Sequence, residues 1–300
     1  MIVKLVPHLK NYIWGGKKLN ESWNKRANFP VAESWELSLN DNGLCAIGSG
    51  ANVGKSLSDV ATTADFGSNC KAFPLFPVLI KLIDAASDLS VQVHPSDEFA
   101  CQHEGVAFGK TEAWHVLDAE KGAAIYLGLK RTVTTKDLEQ ATTNGTVLDL
   151  LNKIEVQEGQ TYFIPSGTLH ALGGGVTVYE IQQNSTLTYR AYDYGRVGLD
   201  GKPRELHLEK VLACANLNAY CVPPQQDGDL LCKCNYFSLY RHSGARSVFL
   251  PYSFCTVTAI SDGVSVGELT LKKGETAFVS AGDKLQITGN GSYLLACVER

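Results

Sequence analysis

Four side chains in this sequence have the types and spacing to hold one divalent cation: Gln92, His94, Glu112 and His170. Gln92 and His94 stand two apart in Leu89-Ser90-Val91-Gln92-Val93-His94-Pro95. Side chains alternate along a strand, so both project from one face while Val91 and Val93 pack on the other. In Gly109-Lys110-Thr111-Glu112-Ala113-Trp114-His115 the same alternation puts Lys110, Glu112 and Trp114 on a shared face and turns His115 away. His170 closes a third segment that begins at Gly159. Together the four offer two nitrogen and two oxygen donors, a set that zinc accepts with a position left for water or substrate. Manganese, iron or cobalt tolerate the same donors. A lone histidine is more commonly a hydrogen-bonded structural group, and His8, His103, His115, His207 and His242 are read that way.

The elements that must deliver these groups are short strands separated by Gly, Asn and Pro. Alternation with β-branched or aromatic content predicts strands at 34–38, 89–94, 123–129, 161–164, 177–183, 187–192, 256–260, 268–271 and 276–279. Helical patterns are few: 97–104 behind a Ser96 cap, a pair at 135–142 and 145–153, and 206–214. Strands do not alternate regularly with long helices, so a doubly wound α/β sheet is disfavoured and an all-β sandwich or jelly roll with helical decoration fits better. The polar, proline-rich run from Val222 to Asp229 marks a boundary between a catalytic domain, 1–222, and a β domain, 223–300. Two strings, Gly50 to Ser56 and Gly105 to Thr111, imitate phosphate loops. Each has three residues between its glycines where four are needed, and neither sits between a strand and a helix.

Gly159-Gln160-Thr161-Tyr162-Phe163-Ile164-Pro165-Ser166-Gly167-Thr168-Leu169-His170 has the form G-x5-P-x-G-x2-H, which resembles the second motif of the cupin superfamily. Its parts are a turn glycine, a strand, a proline-glycine turn and a histidine delivered into a barrel. Gly274 to Leu285 repeats the spacing with Ser280 for the proline and Leu285 for the histidine. The expected architecture is therefore two cupin jelly rolls (double-stranded β-helices), with the metal site in the first and none in the second.

Longer stretches resemble the type I mannose-6-phosphate isomerases. They are Asn11-Tyr12-Ile13-Trp14-Gly15-Gly16, Glu33-Ser34-Trp35-Glu36, Phe76-Pro77-Val78-Leu79-Ile80-Lys81, Ser90 to Pro95, Gly109 to Glu112, Tyr179 to Ser185 and Thr188 to Asp193. The resemblance spans most of the chain from Asn11 to about Arg196 and looks like the compact form of that family. It implies that Gln92, His94, Glu112 and His170 ligate one Zn2+, and that mannose 6-phosphate and fructose 6-phosphate are interconverted through a cis-enediol. Moving a proton between C1 and C2 needs charge stabilisation at the oxygens and a base within reach. A dianionic phosphate needs cations and hydroxyls. Ser90 and Lys81 are expected at the phosphate, Arg190 at phosphate or enediolate, and Lys110 near the substrate as proton carrier, its neutral form favoured by the metal charge. Either Glu33 or Glu36 is expected to assist ring opening. One departure stands out: Thr186 occupies a place where many family members carry aspartate, and threonine is no base near neutral pH. Lys110, Glu180 or a metal-bound water then takes that part. Two alternatives follow: another cupin-type phosphosugar isomerase or epimerase, or a non-catalytic sugar-phosphate-binding cupin.

Composition narrows the partners. The 300 residues carry a net charge of −4 with signs mixed, which gives no basic patch for nucleic acid. No apolar run approaches a signal h-region or a membrane span, and the nine cysteines are odd in number and scattered, so reduced thiols in the cytoplasm are expected. The expected partner is a small phosphosugar, with no nucleic acid or membrane, for a monomer or weak homodimer.

Overall fold

The computed structural model describes all 300 residues. Two antiparallel sheets face one another in the first part of the chain. The larger runs in the order Thr161–Ile164, Glu112–Ala119, Val176–Gln183, Val78–Ala85, Glu33–Leu37, His8–Lys10. The smaller runs Tyr189–Tyr192, Val91–Val93, His170–Leu172, Ala124–Leu129, Leu151–Glu155. Between them lies a core that includes Ile83, Trp114, Val116, Ile125, Leu127, Leu172, Val176 and Val178.

Alternation explains how central strands can be buried along their whole length. In Val78–Ala85, Ile83 and Ala85 enter the roll, whereas Val78, Ile80 and Leu82 join a second core on the back of the sheet. In the smaller sheet Val91 and Val93 face outward, as the spacing predicts, under a third core closed by Leu138 and Val211 from the helices Thr135–Thr143 and Leu208–Cys214. The polar members of these strands are thereby turned inward.

The segment beyond residue 222 does not complete its own sheet. A seven-stranded sheet runs Leu230–Lys233, Ser238–Ser243, Ser292–Cys297, Cys255–Ala259, Thr276–Val279, Ile2–Val6, Ala46–Ile47, so two N-terminal strands cross the expected boundary to finish it. Ile2 lies opposite Val279 in that ladder. A four-stranded sheet, Arg246–Phe249, Lys284–Gly289, Val264–Val266, Leu269–Leu271, packs on it around Val257, Ala277 and Leu285. The repeated motif has a repeated backbone: Gly159 and Gly274 have φ of 90° and 86°, Gly167 and Gly282 of 83° and 80°. At the histidine position of the second copy, Leu285 is buried in this core.

Helix 97–104 forms as expected, with the Ser96 hydroxyl accepting from the Phe99 N–H and Gly105 in the left-handed region at its end. The expected helix at 145–153 is not there. Gly145, at φ 72°, follows the capping Asn144, and after a short 3-10 turn, Val147–Leu150, the chain enters the edge strand Leu151–Glu155. Burial along that strand alternates, the period of a half-buried strand and not of a helix.

Candidate active site

Two rows of cross-strand neighbours build the site. In the smaller sheet Arg190 pairs with Gln92 and Gln92 with His170, so three polar side chains stand abreast on the inner face. In the larger sheet Trp114 pairs with Glu180, Glu180 with Lys81 and Lys81 with Trp35. Glu112 opens its strand one inward position before Trp114, beside Gln182 and Ile164. The proline-glycine turn is tied to the same place, because the Gly167 N–H donates to the His94 carbonyl at 2.7 Å.

His94, Glu112 and His170 converge, each fully buried, with one ligand atom apiece inside a 4.8 Å cluster. Hydrogen bonds fix how the rings present themselves. His94 Nδ1 lies 2.8 Å from the Leu187 carbonyl and His170 Nδ1 2.8 Å from the Thr168 carbonyl. A carbonyl only accepts, so each Nδ1 carries the proton and each Nε2 turns a lone pair inward. His94 Nε2 is then 3.5 Å from Glu112 Oε2, and His170 Nε2 is 3.3 Å from Glu112 Oε1. Glu112 Oε1 accepts no hydrogen bond, and only the Lys110 ammonium reaches Oε2. Acceptors facing acceptors in a buried site need a cation among them. The Lys110 ammonium answers part of that demand, 2.7 Å from Glu112 Oε2 and 3.2 Å from His94 Nε2. Gln92 Nε2 lies 3.3 Å from His170 Nε2, and turning the amide over about its last bond brings its oxygen to face the same point. The donor set of Gln92, His94, Glu112 and His170 therefore fits a divalent metal.

Burial dominates the electrostatics. It pushes the Glu112 carboxyl up to about 7 against the pull of Lys110. It holds His170 down to about 4 and His94 well below its ordinary value, with Lys110 adding to both. Both imidazoles are thus neutral ligands in waiting. Glu180 behaves oppositely: burial raises it, but Lys110 and Lys81 outweigh burial and hold it at about 2. Its Oε1 takes Lys81 at 3.0 Å and its Oε2 takes the Trp114 indole N–H at 2.8 Å. Lys81 in turn is raised despite burial, because Glu180 and then Glu33 surround it.

Above the cluster opens a cavity of about 470 Å³. Ser90, Lys81, Lys110, Arg190 and Gln92 all line it, and Thr186 stands at its wall with Asn42 Nδ2 3.4 Å from its hydroxyl. Of the two glutamates expected near the sugar, Glu33 is in the wall and Glu36 is not. Glu36 points to the opposite face of its strand, where it binds Lys25 at 2.5 Å and accepts from Ser34 and Thr276. The odd–even alternation of 33–36 forces that outcome.

Two wall residues, Arg204 and His207, were not foreseen. Both come from the segment after Arg190, with His207 Nδ1 3.2 Å from the Arg190 N–H. Glu180, named from the sequence as a candidate base, proves instead to be the shared counter-ion of two lysines, a lone charge inside the strand Val176–Gln183. His115 faces away as predicted, its Nδ1 2.9 Å from the Thr161 hydroxyl. Burial, and then Arg241, lower it to about 4 from its ordinary 6.5. A histidine that must stay neutral to remain buried binds more protons when unfolded. Its contribution is complete above about pH 6.5 and is lost as pH falls towards about 4. Denaturant melts of His115→Gln are therefore expected to show a shallower loss of stability over that interval than the parent protein.

An antiparallel roll with inward His, Glu, His and Gln donors under a cationic cavity defines a cupin of the metal-holding class. Comparison with known proteins narrows this. Residues 2–120 match the family described as phosphomannose isomerase type I, catalytic domain. Mannose-6-phosphate isomerase ManA of Bacillus subtilis (strain 168) is 35% identical over 282 residues, covering 91% of this chain and 88% of that protein. The mannose-6-phosphate isomerase of Streptococcus mutans is 33% identical over 278 residues, covering 88% of this chain and 87% of that protein. The crystal structure of the mannose 6-phosphate isomerase from Bacillus subtilis superposes with a TM-score of 0.86 at 29% identity, over 98% of this chain and 99% of that one. The chain belongs to the type I mannose-6-phosphate isomerase family.

Proposed function

We propose that this chain interconverts mannose 6-phosphate and fructose 6-phosphate, using one zinc ion held by Gln92, His94, Glu112 and His170. The observation that carries the proposal is the juxtaposition of a buried His–Glu–His cluster with a cavity walled by Lys81, Lys110 and Arg190. Family membership supports the same reaction. The bound ion supplies Lewis-acid stabilisation of the charge that develops on the sugar oxygens.

The remaining tasks fall to side chains. Arg190 projects from the row that holds Gln92, and its Nε has no partner although it is buried, so a guanidinium donor is free for an anionic oxygen. Lys81 and Ser90 line the same cavity and serve the phosphate. Glu180 has both oxygens committed and is held too acidic to take a proton, so it acts as a counter-ion. Lys110, beside the cluster and in the cavity wall, carries the proton between C1 and C2. Thr186 leaves room and a hydroxyl where a carboxylate is absent.

The test is a coupled assay for fructose 6-phosphate on zinc-loaded protein given mannose 6-phosphate. Turnover is expected. Arg190→Ala is expected to raise KM by about tenfold or more, the cost of a lost charged hydrogen bond. No turnover from protein proven to contain zinc would overturn the reading.

A further inference from the structure

Lys110 and Glu112 sit at the end of a loop, and three consecutive backbone N–H groups ahead of Glu112 are each captured by a different partner. Gly109 N–H donates to Asp97 Oδ1 at 2.8 Å, Lys110 N–H to the Pro95 carbonyl at 2.9 Å, and Thr111 N–H to Gln183 Oε1 at 2.8 Å. Only glycine fits the first position, because a Cβ on Gly109 would lie 2.2 Å from the Pro95 carbonyl oxygen. Asp97 is the hub of the arrangement. Its Oδ1 also accepts from Gln183 Nε2 at 2.7 Å, and its Oδ2 accepts from the Tyr236 hydroxyl at 2.7 Å.

Tyr236 lies 139 residues further along the chain, beyond the proline-rich run, next to the strand Ser238–Ser243. Its ring reaches the same loop by a second route. Tyr236 packs on Phe73 with centroids 5.8 Å apart, and Phe73 packs on Phe108 at 6.3 Å, the residue just before Gly109. The Ser185 hydroxyl holds the Phe108 carbonyl at 3.2 Å. A hydrogen bond to the hub and an aromatic chain to the loop thus join the C-terminal unit to the two residues nearest the proposed reaction.

We propose that Tyr236 is a positioning residue for the active site, fixing through Asp97 the backbone of 109–111 and so the placement of the Lys110 ammonium and the Glu112 carboxylate. This rests on the isomerase reading for its catalytic consequence, though not for its effect on metal binding. It assigns the C-terminal unit a part in the chemistry that a mere cover over apolar surface would not have. Small displacements matter here, since reacting groups held an ångström out of place lose large factors in rate.

The matched experiment compares Tyr236→Phe with Tyr240→Phe. Each removes one C-terminal tyrosine hydroxyl bonded to a carboxylate, but Tyr240 donates at 2.6 Å to Glu299, within the C-terminal unit, whereas Tyr236 donates to Asp97. Tyr236→Phe is expected to lower kcat about tenfold with KM within about twofold, and to weaken zinc about tenfold in competition with a chromogenic chelator. Tyr240→Phe is expected to leave all three within about twofold of the parent. Asp97→Ala removes the hub itself and is expected to follow Tyr236→Phe. Equal behaviour of the two tyrosine variants in zinc affinity and kcat overturns the proposal. Loss of turnover in the parent protein overturns the isomerase reading instead, and the zinc competition still reads the positioning by itself.

Discussion

Stripping the protein with a strong chelator is expected to lower kcat by about a thousandfold or more and the thermal unfolding midpoint by about 6 °C, both restored by added zinc. The rate effect follows from removing Lewis-acid stabilisation worth several kcal/mol. The stability effect follows from the cluster itself. Glu112 is completely buried, its Oε1 accepts no hydrogen bond, and the two nearest imidazoles offer it lone pairs instead of donors. Without a cation the folded state bears the desolvation of that carboxylate, relieved only by the Lys110 ammonium at 2.7 Å. A metal that binds the folded chain alone at a thousand times its Kd adds about 4 kcal/mol. His170→Ala removes one of the two inward lone pairs, so it is expected to lose most of its metal and to melt where the chelated parent melts. An unchanged melting curve on chelation, or parent-like metal content in His170→Ala, would place the ion elsewhere in the molecule.

The residues of this cluster were legible in the sequence because each strand needs only its own alternation to declare a face. Gln92 and His94 share a face by spacing alone, and Val91 and Val93 do pack on the helices outside. What spacing could not supply was adjacency across the ladder. That His170 and Arg190 flank Gln92 on neighbouring strands is a matter of register between segments far apart in the chain. Glu180 was named as a candidate base, but its role as counter-ion was hidden for the same reason: its partners Lys81 and Trp114 are cross-strand neighbours, 99 and 66 residues away. Glu36 was misjudged by treating 33–36 as one patch when its odd and even members face different cores. The helix expected at 145–153 failed on a local competitor, the capping Asn144 and left-handed Gly145 that end one helix and start the chain towards an edge strand. The N-terminal strand Ile2–Val6 carries no sign in its own residues that it will pair with Thr276–Val279, so the sharing of a sheet across residue 222 was unreadable.

Removing Glu180 has the second large expected effect, and it separates stability from catalysis. Glu180 bonds Lys81 at 3.0 Å, stands 3.9 Å from Lys110 and accepts the Trp114 N–H, all in a site with almost no exposure. Glu180→Ala leaves Lys81 with only Glu33 at 3.7 Å and leaves the indole N–H without an acceptor. Breaking a buried ion pair from one side costs about 3–5 kcal/mol, and the partial access of the cavity to water puts this case near the lower bound. For a chain of this size that lowers the melting midpoint by about 5 °C. Replacing both partners with apolar side chains of similar volume, Glu180→Leu with Lys81→Met, removes the orphaned charge and is expected to recover most of the loss. Turnover is not expected to return with it, because the double variant lacks a cation in the cavity wall and has changed the field around Lys110. Calorimetry and the isomerase assay on the same three proteins check both halves. If the double variant melts no higher than Glu180→Ala, the orphaned Lys81 charge is not the cause of the instability. If the double variant is as active as the parent, Lys81 has no part in holding the substrate.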